Sequence, residues 1–414
     1  MIKFSHFELD NGLKVILNTD KTTPMVAVNV LYDVGARDEH PGRTGFAHLF
    51  EHLMFGGSAN IPSYDTPLQK AGGENNAFTS NDITNYYLSI PAQNIETAFW
   101  LESDRMLNLA FSKKSLDVQR NVVIEEFKQR YLNQPYGDTW LLLRPLAYKK
   151  HPYRWPTIGK DINHIANATM DDVRAFYEKH YHPANAVLSV VGNITEKELR
   201  LLCEKWFAPI RKGKKMKRSL PKEPVQTKKR TQSVTRNVPF DMICMAYHMC
   251  ARKSKDYYTT DFISDILSSG HSSRLYTKLV KEKKIFSELD AYITGDFDEG
   301  LFVFQGKLMK GKSMKQAEES IIEEISQLQE TLVEEKELQK IKNKAESAIE
   351  FNNVNILNRA LKLAVAELLG DTGLINDEAE RYDAVTAVDI RRLAKKIFAE
   401  KNCSVLYYKA GRKK

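Results

Sequence analysis

Hydrophobic residues in the first half of the chain recur with two periods, one close to 2 and one close to 3.6. The shorter period is typical of β-strands and the longer one of amphipathic helices. The pair Asn11-Gly12 separates two alternating segments and predicts a tight hairpin. The other predicted strands lie at 25–34, 76–80, 84–90 and 185–193, and the predicted helices lie at 46–55, 93–109, 113–131 and 169–181.

The second half repeats this order of elements. Its predicted strands lie at 231–237, 242–249, 289–294 and 301–305, with a predicted helix at 257–267 and long helices within 313–369. The ends of the two halves match best, since Thr169 corresponds to Thr386 and Asn185 to Asn402 with the same offset of 217 residues. Such a repeat predicts an α+β protein of two homologous domains, each a mostly antiparallel sheet covered by helices.

The boundary between the two domains is a basic segment. Residues 211–230 hold ten Lys or Arg against the single acid Glu223, in a chain whose net charge is +8. A basic run can bind nucleic acid, but this one contains two prolines and no aromatic residue, which is typical of a solvated linker. We therefore predict an N-terminal domain at 1–210, a linker at 211–230 and a C-terminal domain at 231–414, with no nucleic acid as a partner.

Neither membrane insertion nor export is expected from the sequence. No run approaches the ~18 consecutive apolar residues that a membrane-spanning helix needs. The first residues have the pattern of a strand, without the basic and then apolar layout of a signal peptide. We expect a cytoplasmic protein, or a periplasmic one if a signal peptide has been removed.

The predicted helix at 46–55 carries the pattern His48-Leu49-Phe50-Glu51-His52. Residues i and i+4 lie on one face of a helix about one turn apart, so the two imidazoles can bind a single zinc ion. Glu51 points the same way and can act as a general base for a metal-activated water. The neighbouring residues are apolar, and two histidines with an acid on such a helix are costly unless they are paired or bound to metal.

A third ligand has to come from another part of the chain. The predicted helix at 113–131 contains the acidic pair Glu125-Glu126, and either residue offers a carboxylate. Helix periodicity does not choose between the two, and an acidic pair on a helix is more often part of a solvated surface. From the residues alone, the identity of the third ligand stays open.

The order H-x-x-E-H is the inverse of the commoner H-E-x-x-H and marks the inverzincin peptidases. The chain resembles that pitrilysin-type family along its whole length, and especially its short branch, which includes the mitochondrial processing peptidases and many bacterial zinc proteases. The segments that carry the resemblance are HLFEH, GGENNAFTSNDITNYY, LESDRM, NVVIEEF, HPYRWPTIG and YHPANAVLSVVGN.

The resemblance implies one zinc ion (Zn2+) per chain, bound by His48, His52 and Glu126, with Glu51 as the catalytic base. It selects Glu126 because the family's third ligand is the last acid of the segment written here as NVVIEE. Family members often carry a supporting acid seven residues earlier, and this chain has Gln119 there.

The resemblance also implies how a peptide substrate is held. The family's strand that corresponds to 76–80 lies at a sheet edge and pairs with an extended peptide. Asn76 and Ala77 are the matching positions for this contact, and Phe55 and Phe78 are candidates to line side-chain pockets. Packing in the core is an equally good interpretation of both phenylalanines.

The second domain lacks the corresponding chemical groups. At the offset of 217, the H-x-x-E-H positions fall on Asp265, Ser268 and Ser269. Active family members also use an Arg and a Tyr, seven residues apart in this domain, to hold the substrate carbonyl. The matching residues here are Val280 and Ser287, and neither can donate to an oxyanion as Arg or Tyr does.

These absences bear on the expected assembly. We expect a dimer in which this chain brings zinc and a related partner chain brings the Arg/Tyr pair, with a homodimer as the alternative. The expected activity is that of a zinc endopeptidase acting on unfolded peptides. A non-catalytic structural subunit of the same fold is the other function that the sequence leaves open.

Overall fold

The computed structural model describes residues 1–214 and 217–411, so residues 215 and 216 of the predicted linker and the last three residues lie outside the described part. The chain forms two compact units. The first unit comprises residues 1–130, 155–221 and 350–377, and the second comprises 131–154, 222–349 and the residues from 378 onward.

The first unit contains a six-stranded sheet. Its strands are β1 (Ser5–Glu8), β2 (Lys14–Thr19), β3 (Met25–Tyr32), β4 (Glu74–Thr79), β5 (Thr84–Pro91) and β6 (Ala186–Gly192). They lie in the order β1-β2-β6-β3-β5-β4, with β2 and β6 parallel and the other neighbours antiparallel. β1 and β2 form the predicted hairpin, in which Gly12 takes a φ of 85°. β4 lies at one edge of the sheet, with β5 as its neighbour.

The second unit contains a five-stranded sheet with the same arrangement. Its strands are β7 (Arg230–Arg236), β8 (Met242–His248), β9 (Phe286–Ile293), β10 (Leu301–Leu308) and β11 (Cys403–Ala410). Their order is β7-β11-β8-β10-β9, and β7 and β11 are the parallel pair. The predicted fold class, two homologous and mostly antiparallel sheets covered by helices, is confirmed.

The described residues also contain fourteen α-helices. They are α1 (Phe46–Leu53), α2 (Asp65–Lys70), α3 (Ile95–Leu107), α4 (Lys113–Phe127), α5 (Thr139–Ala147), α6 (Ile162–Ala166), α7 (Met170–His180), α8 (Glu196–Trp206), α9 (Tyr257–Ser268), α10 (Met314–Glu330), α11 (Glu335–Val354), α12 (Ile356–Leu368), α13 (Leu374–Asp383) and α14 (Ala387–Ile397). Among the residues described, no helix is long and apolar enough to cross a membrane.

The repeat extends to side-chain contacts near the end of each half. The side-chain amide of Asn185 donates to the carbonyl oxygen of His180 at 2.9 Å. The amide of Asn402 donates to the carbonyl oxygen of Ile397 at 2.8 Å. Both pairs obey the offset of 217, so each asparagine fixes the turn between a helix and the strand that follows it.

One helix from the first half of the sequence lies in the second unit, and one helix from the second half lies in the first unit. α5 and α12 begin 217 residues apart, yet α5 packs on β8 and β11 in the second unit, and α12 packs on β3 and β6 in the first. α3 also packs on β3, and almost every residue of β3 and β6 is buried on both faces of the sheet. Each compact unit therefore contains a helix from the other half of the sequence. A division of the chain at the linker does not reproduce this arrangement, because an amphipathic pattern does not specify which sheet a helix covers.

Candidate active site

The N-terminus of α1 is fixed by a glycine and a buried acid. Gly45 has a φ of 91°, and a Cβ at this position would lie 2.7 Å from the carbonyl oxygen of Ile158. The carboxylate of Glu39 accepts the backbone N–H groups of Gly45 and Ala47, each at 2.9 Å. Burial raises the pKa of Glu39 to about 8, although these two bonds favour the charged form. Sequence reasoning missed Glu39, because it lies outside the spacing of the usual capping motifs.

The apolar side of α1 is packed against aromatic residues of the same unit. The ring of Phe50 stacks on Phe176 and Tyr181, with centroids 5.2 and 5.0 Å apart. All the apolar residues of the helix are buried, whereas the two histidines and Glu51 are partly exposed. The packing therefore sets the direction in which the polar residues project.

The three predicted metal ligands converge on one point. The Nε2 atoms of His48 and His52 lie 3.5 and 3.4 Å from the same oxygen, Oε2 of Glu126 on α4. In a tetrahedral zinc site, neighbouring ligand atoms are roughly 3.4 Å apart, so both the spacing and the nitrogen and oxygen donors fit zinc. Glu125 is exposed, and its carboxylate instead accepts a hydrogen bond from Lys128 Nζ at 2.7 Å.

The electrostatics of His48 and Glu126 favour metal binding. Burial lowers the pKa of His48 to about 4, which leaves its imidazole neutral and able to coordinate at neutral pH. The hydrogen bond from His52 is the main reason that the pKa of Glu126 is below its usual range. Gln119, at the family's supporting-acid position, lies partly buried on α4.

Glu51 is held by a residue of the edge strand. Its Oε2 accepts a hydrogen bond of 2.6 Å from the hydroxyl of Thr79, the last residue of β4. Burial raises the pKa of Glu51, while the bond from Thr79 acts in the opposite direction. No sequence pattern connects these two residues, so Thr79 was missed even though it lies in a segment that carries the family resemblance.

The predicted peptide-binding positions lie along β4. Asn76 is exposed, and Ala77 and Phe78 are partly buried. The ring of Phe78 lies 6.5 Å from that of Tyr87 on the neighbouring strand β5. These residues occur on the strand that ends beside Glu51, at the edge of the sheet.

Phe55 belongs to a cluster around a buried ion pair. Arg105 is 2% exposed and lies 2.7 Å from the carboxylate of Glu102. Its guanidinium stacks on the rings of Tyr64 and Tyr86, and Phe55 contacts both tyrosines with centroid distances of 5.8 and 6.1 Å. The LESDRM segment thus packs against the chain that follows α1. Because Phe55 contacts the two tyrosines of this cluster, we favour a packing role for it.

The residues predicted to match the Arg/Tyr positions make local contacts within the second unit. Val280 packs against the hydrophobic core of that unit, and Ser287 is exposed on β9, where its hydroxyl donates to the carbonyl oxygen of Lys307 at 3.3 Å. The nearby Arg274 forms an ion pair of 2.6 Å with Glu337. Among the described residues, one group of three side chains could hold a metal ion, and this group lies in the first unit.

The first unit has a helix with the pattern His-x-x-Glu-His, and this helix faces a glutamate of a second helix. Together with the repeated α+β fold, this is the arrangement of the inverzincin metallopeptidase class. Residues 14–144 match the family described as insulinase, peptidase family M16, and residues 167–345 match the peptidase M16 inactive domain. The chain therefore belongs to the M16 family of pitrilysin-type peptidases, and the resemblance seen in its motifs is confirmed.

Relatives of similar length are named as zinc proteases. The chain is 28% identical to the zinc protease PqqE of Helicobacter pylori over 98% of this chain and 93% of the relative. It is 25% identical to the uncharacterized zinc protease YmxG of Bacillus subtilis over 99% of each. The crystal structure of a protease from Helicobacter pylori, 28% identical, superposes with a TM-score of 0.93 over 99% of this chain and all of that one.

Proposed function

We propose that the protein is a zinc-dependent endopeptidase that hydrolyses unfolded peptides. The observation that carries this proposal is the convergence of His48, His52 and Glu126 on one point, with the carboxylate of Glu51 on the same helix. A zinc ion bound by these residues would polarise the peptide carbonyl and activate a water molecule. The zinc proteases among the chain's relatives support the same class of reaction.

The side chains of this unit would then move the protons. Glu51 takes a proton from the attacking water and passes it to the leaving amine. Thr79 donates a hydrogen bond to Oε2 of Glu51 and so orients the carboxylate that accepts the proton. Because burial raises the pKa of Glu51, this carboxylate is a stronger base than an exposed one.

The substrate would bind as an added strand. β4 pairs with β5 on one side and lies at the edge of the sheet, so an extended peptide can pair with its backbone near Asn76 and Ala77. Such pairing requires an unfolded segment and depends little on side chains. Phe78 and, to a lesser degree, Phe55 would select among the side chains of the peptide.

A second, related chain would complete the site. Val280 and Ser287 offer no strong donor to a substrate carbonyl, so we favour a heterodimer whose other chain carries Arg and Tyr at these positions over a homodimer. The same two residues, and the match of 167–345 to a domain described as inactive, favour a non-catalytic structural subunit as the alternative function.

Cleavage of an internally quenched, unstructured peptide tests the proposal. Zinc is quantified in the same preparation, and Glu51→Gln is the control. About one zinc per chain, with cleavage that the variant loses, supports the enzyme. Zinc with cleavage only after a related Arg/Tyr chain is added supports the heterodimer. Absence of zinc after purification without chelators would favour the structural subunit.

A further inference from the structure

We infer that Arg130 is a positioning residue that makes Glu126 bind the metal through a single oxygen. The inference rests on the zinc site proposed above. One guanidinium nitrogen of Arg130 lies 2.8 Å from Oε1 of Glu126. The other oxygen, Oε2, is the one that faces His48 and His52 at 3.5 and 3.4 Å. The two oxygens of this carboxylate therefore have different partners.

This division matters for the chemistry because a carboxylate can bind zinc through one oxygen or through both. A catalytic zinc site needs one position for water or substrate beside its three protein ligands. Binding through both oxygens of Glu126 would crowd that position. The ion pair with Arg130 would hold Oε1 away from the metal and leave Oε2 as the ligand.

The ion pair has little value for stability. The side chain of Arg130 is 69% exposed, and it pairs with Glu126 at a spacing of four residues. Exposed pairs of this kind contribute little to the free energy of unfolding. Arg130 also lies in the wider π-helical turn Lys128–Leu132 that follows α4, a feature that occurs frequently at functional sites.

The same turn provides a matched control. Lys128 forms an exposed ion pair with Glu125 at 2.7 Å, three residues away on the same helix. Lys128→Gln removes one positive charge from the same turn without removing a partner of Glu126. Arg130→Gln removes the partner, and Arg130→Lys keeps a cation that can still hold one oxygen.

The experiment measures zinc affinity by competition with a chelator, and the visible absorption of the cobalt(II)-substituted protein, which weakens when coordination rises above four. We expect Arg130→Gln to bind zinc 10–100-fold more weakly and to change the cobalt spectrum. Arg130→Lys should recover most of the affinity, and Lys128→Gln should resemble the wild type. Unchanged far-UV circular dichroism and thermal unfolding midpoints establish that the variants are folded.

Two results would overturn the inference alone. One is wild-type zinc affinity with an unchanged cobalt spectrum in Arg130→Gln. The other is an equal loss in Lys128→Gln, which would assign the effect to general charge. A wild-type protein that binds no zinc would instead overturn the proposed function, and this inference with it.

Discussion

The two units use corresponding helices in different ways. In the first, α1 and α4 bring two imidazoles and a carboxylate together, a set of side chains that could hold a metal ion. In the second, the residues at the offset of 217 from His48 and His52 are Asp265 and Ser269, at α9. The ammonium group of Lys344 on α11 donates to Asp265 Oδ1 at 3.1 Å and also to the hydroxyl of Ser269.

The second unit therefore carries its own cation at the place where the first unit gathers metal ligands. Lys344 is the residue next to Asn343, which corresponds to Glu126 at the same offset. A lysine can neutralise Asp265, but it offers no open coordination position and no Lewis acid. The comparison teaches that this pair of helices can present either a group of possible metal ligands or a carboxylate paired with a lysine, and that among the described residues the group of possible metal ligands lies in the first unit.

Loss of a metal ligand should have the largest effect. His52→Ala removes one of three ligands, so we expect zinc to be lost on dialysis and peptide cleavage to fall to background. Ser269→Ala, the same change at the corresponding place in the second unit, should leave zinc and cleavage unchanged. Metal analysis and the quenched-peptide assay measure both. Full zinc retention in His52→Ala would refute the ligand assignment.

Removal of the base should separate metal binding from catalysis. Glu51→Gln keeps the shape of the side chain but cannot accept a proton, so we expect about one zinc per chain and a rate lower by about 10²–10⁴-fold. Ser268→Ala, its counterpart in the second unit, is the control and should have wild-type activity. Turnover near the wild-type rate in Glu51→Gln would mean that another group is the base.

Much of this contrast could be predicted from the sequence, because it depends on local patterns. The H-x-x-E-H spacing predicted a metal-binding face on α1, and the repeat predicted that the second half lacks one. The choice of Glu126 over Glu125 needed the family resemblance, since both lie on one helix. Thr79 could not be predicted, because its contact with Glu51 depends on how β4 meets α1 in the folded unit. The ion pair of Arg130 with Glu126 follows from a spacing of four residues, but which carboxylate oxygen faces the histidines depends on how α4 meets α1.

The acid limb of the pH profile should report the environment of Glu51. Burial raises its pKa, and the base acts only when ionised, so activity should be complete above the raised pKa and fall about tenfold per pH unit below it. Burial alone would place the limb above the ~4.3 of an ordinary glutamate, and the positive charge of a bound zinc ion would move it downward. The measurement is kcat/KM against pH at saturating zinc. A profile without an acid limb would contradict the assignment of Glu51 as the base.

The hydroxyl of Thr79 should have a moderate effect. Thr79→Val keeps the β-branched shape on β4 and removes the donor to Glu51, so we expect kcat to fall about tenfold, the cost of one hydrogen bond to a charged group. Thr79→Ser keeps the hydroxyl and should retain most of the activity. Equal kinetics in the valine and serine variants would show that the hydroxyl does not position the base.

The smallest effect is expected for the tethered cation of the second unit. Lys344 is half exposed, so Lys344→Met should cost about 1 kcal/mol or less in the free energy of unfolding, with zinc content and cleavage unchanged. The loss arises because Asp265 then has no ammonium partner, and Asp265→Asn should reduce it. Urea unfolding of the single and double variants measures the coupling between the two residues. Additive effects would mean that Lys344 does not neutralise Asp265. Binding of a second zinc ion by Lys344→Met would mean that the lysine had been blocking a functional metal site.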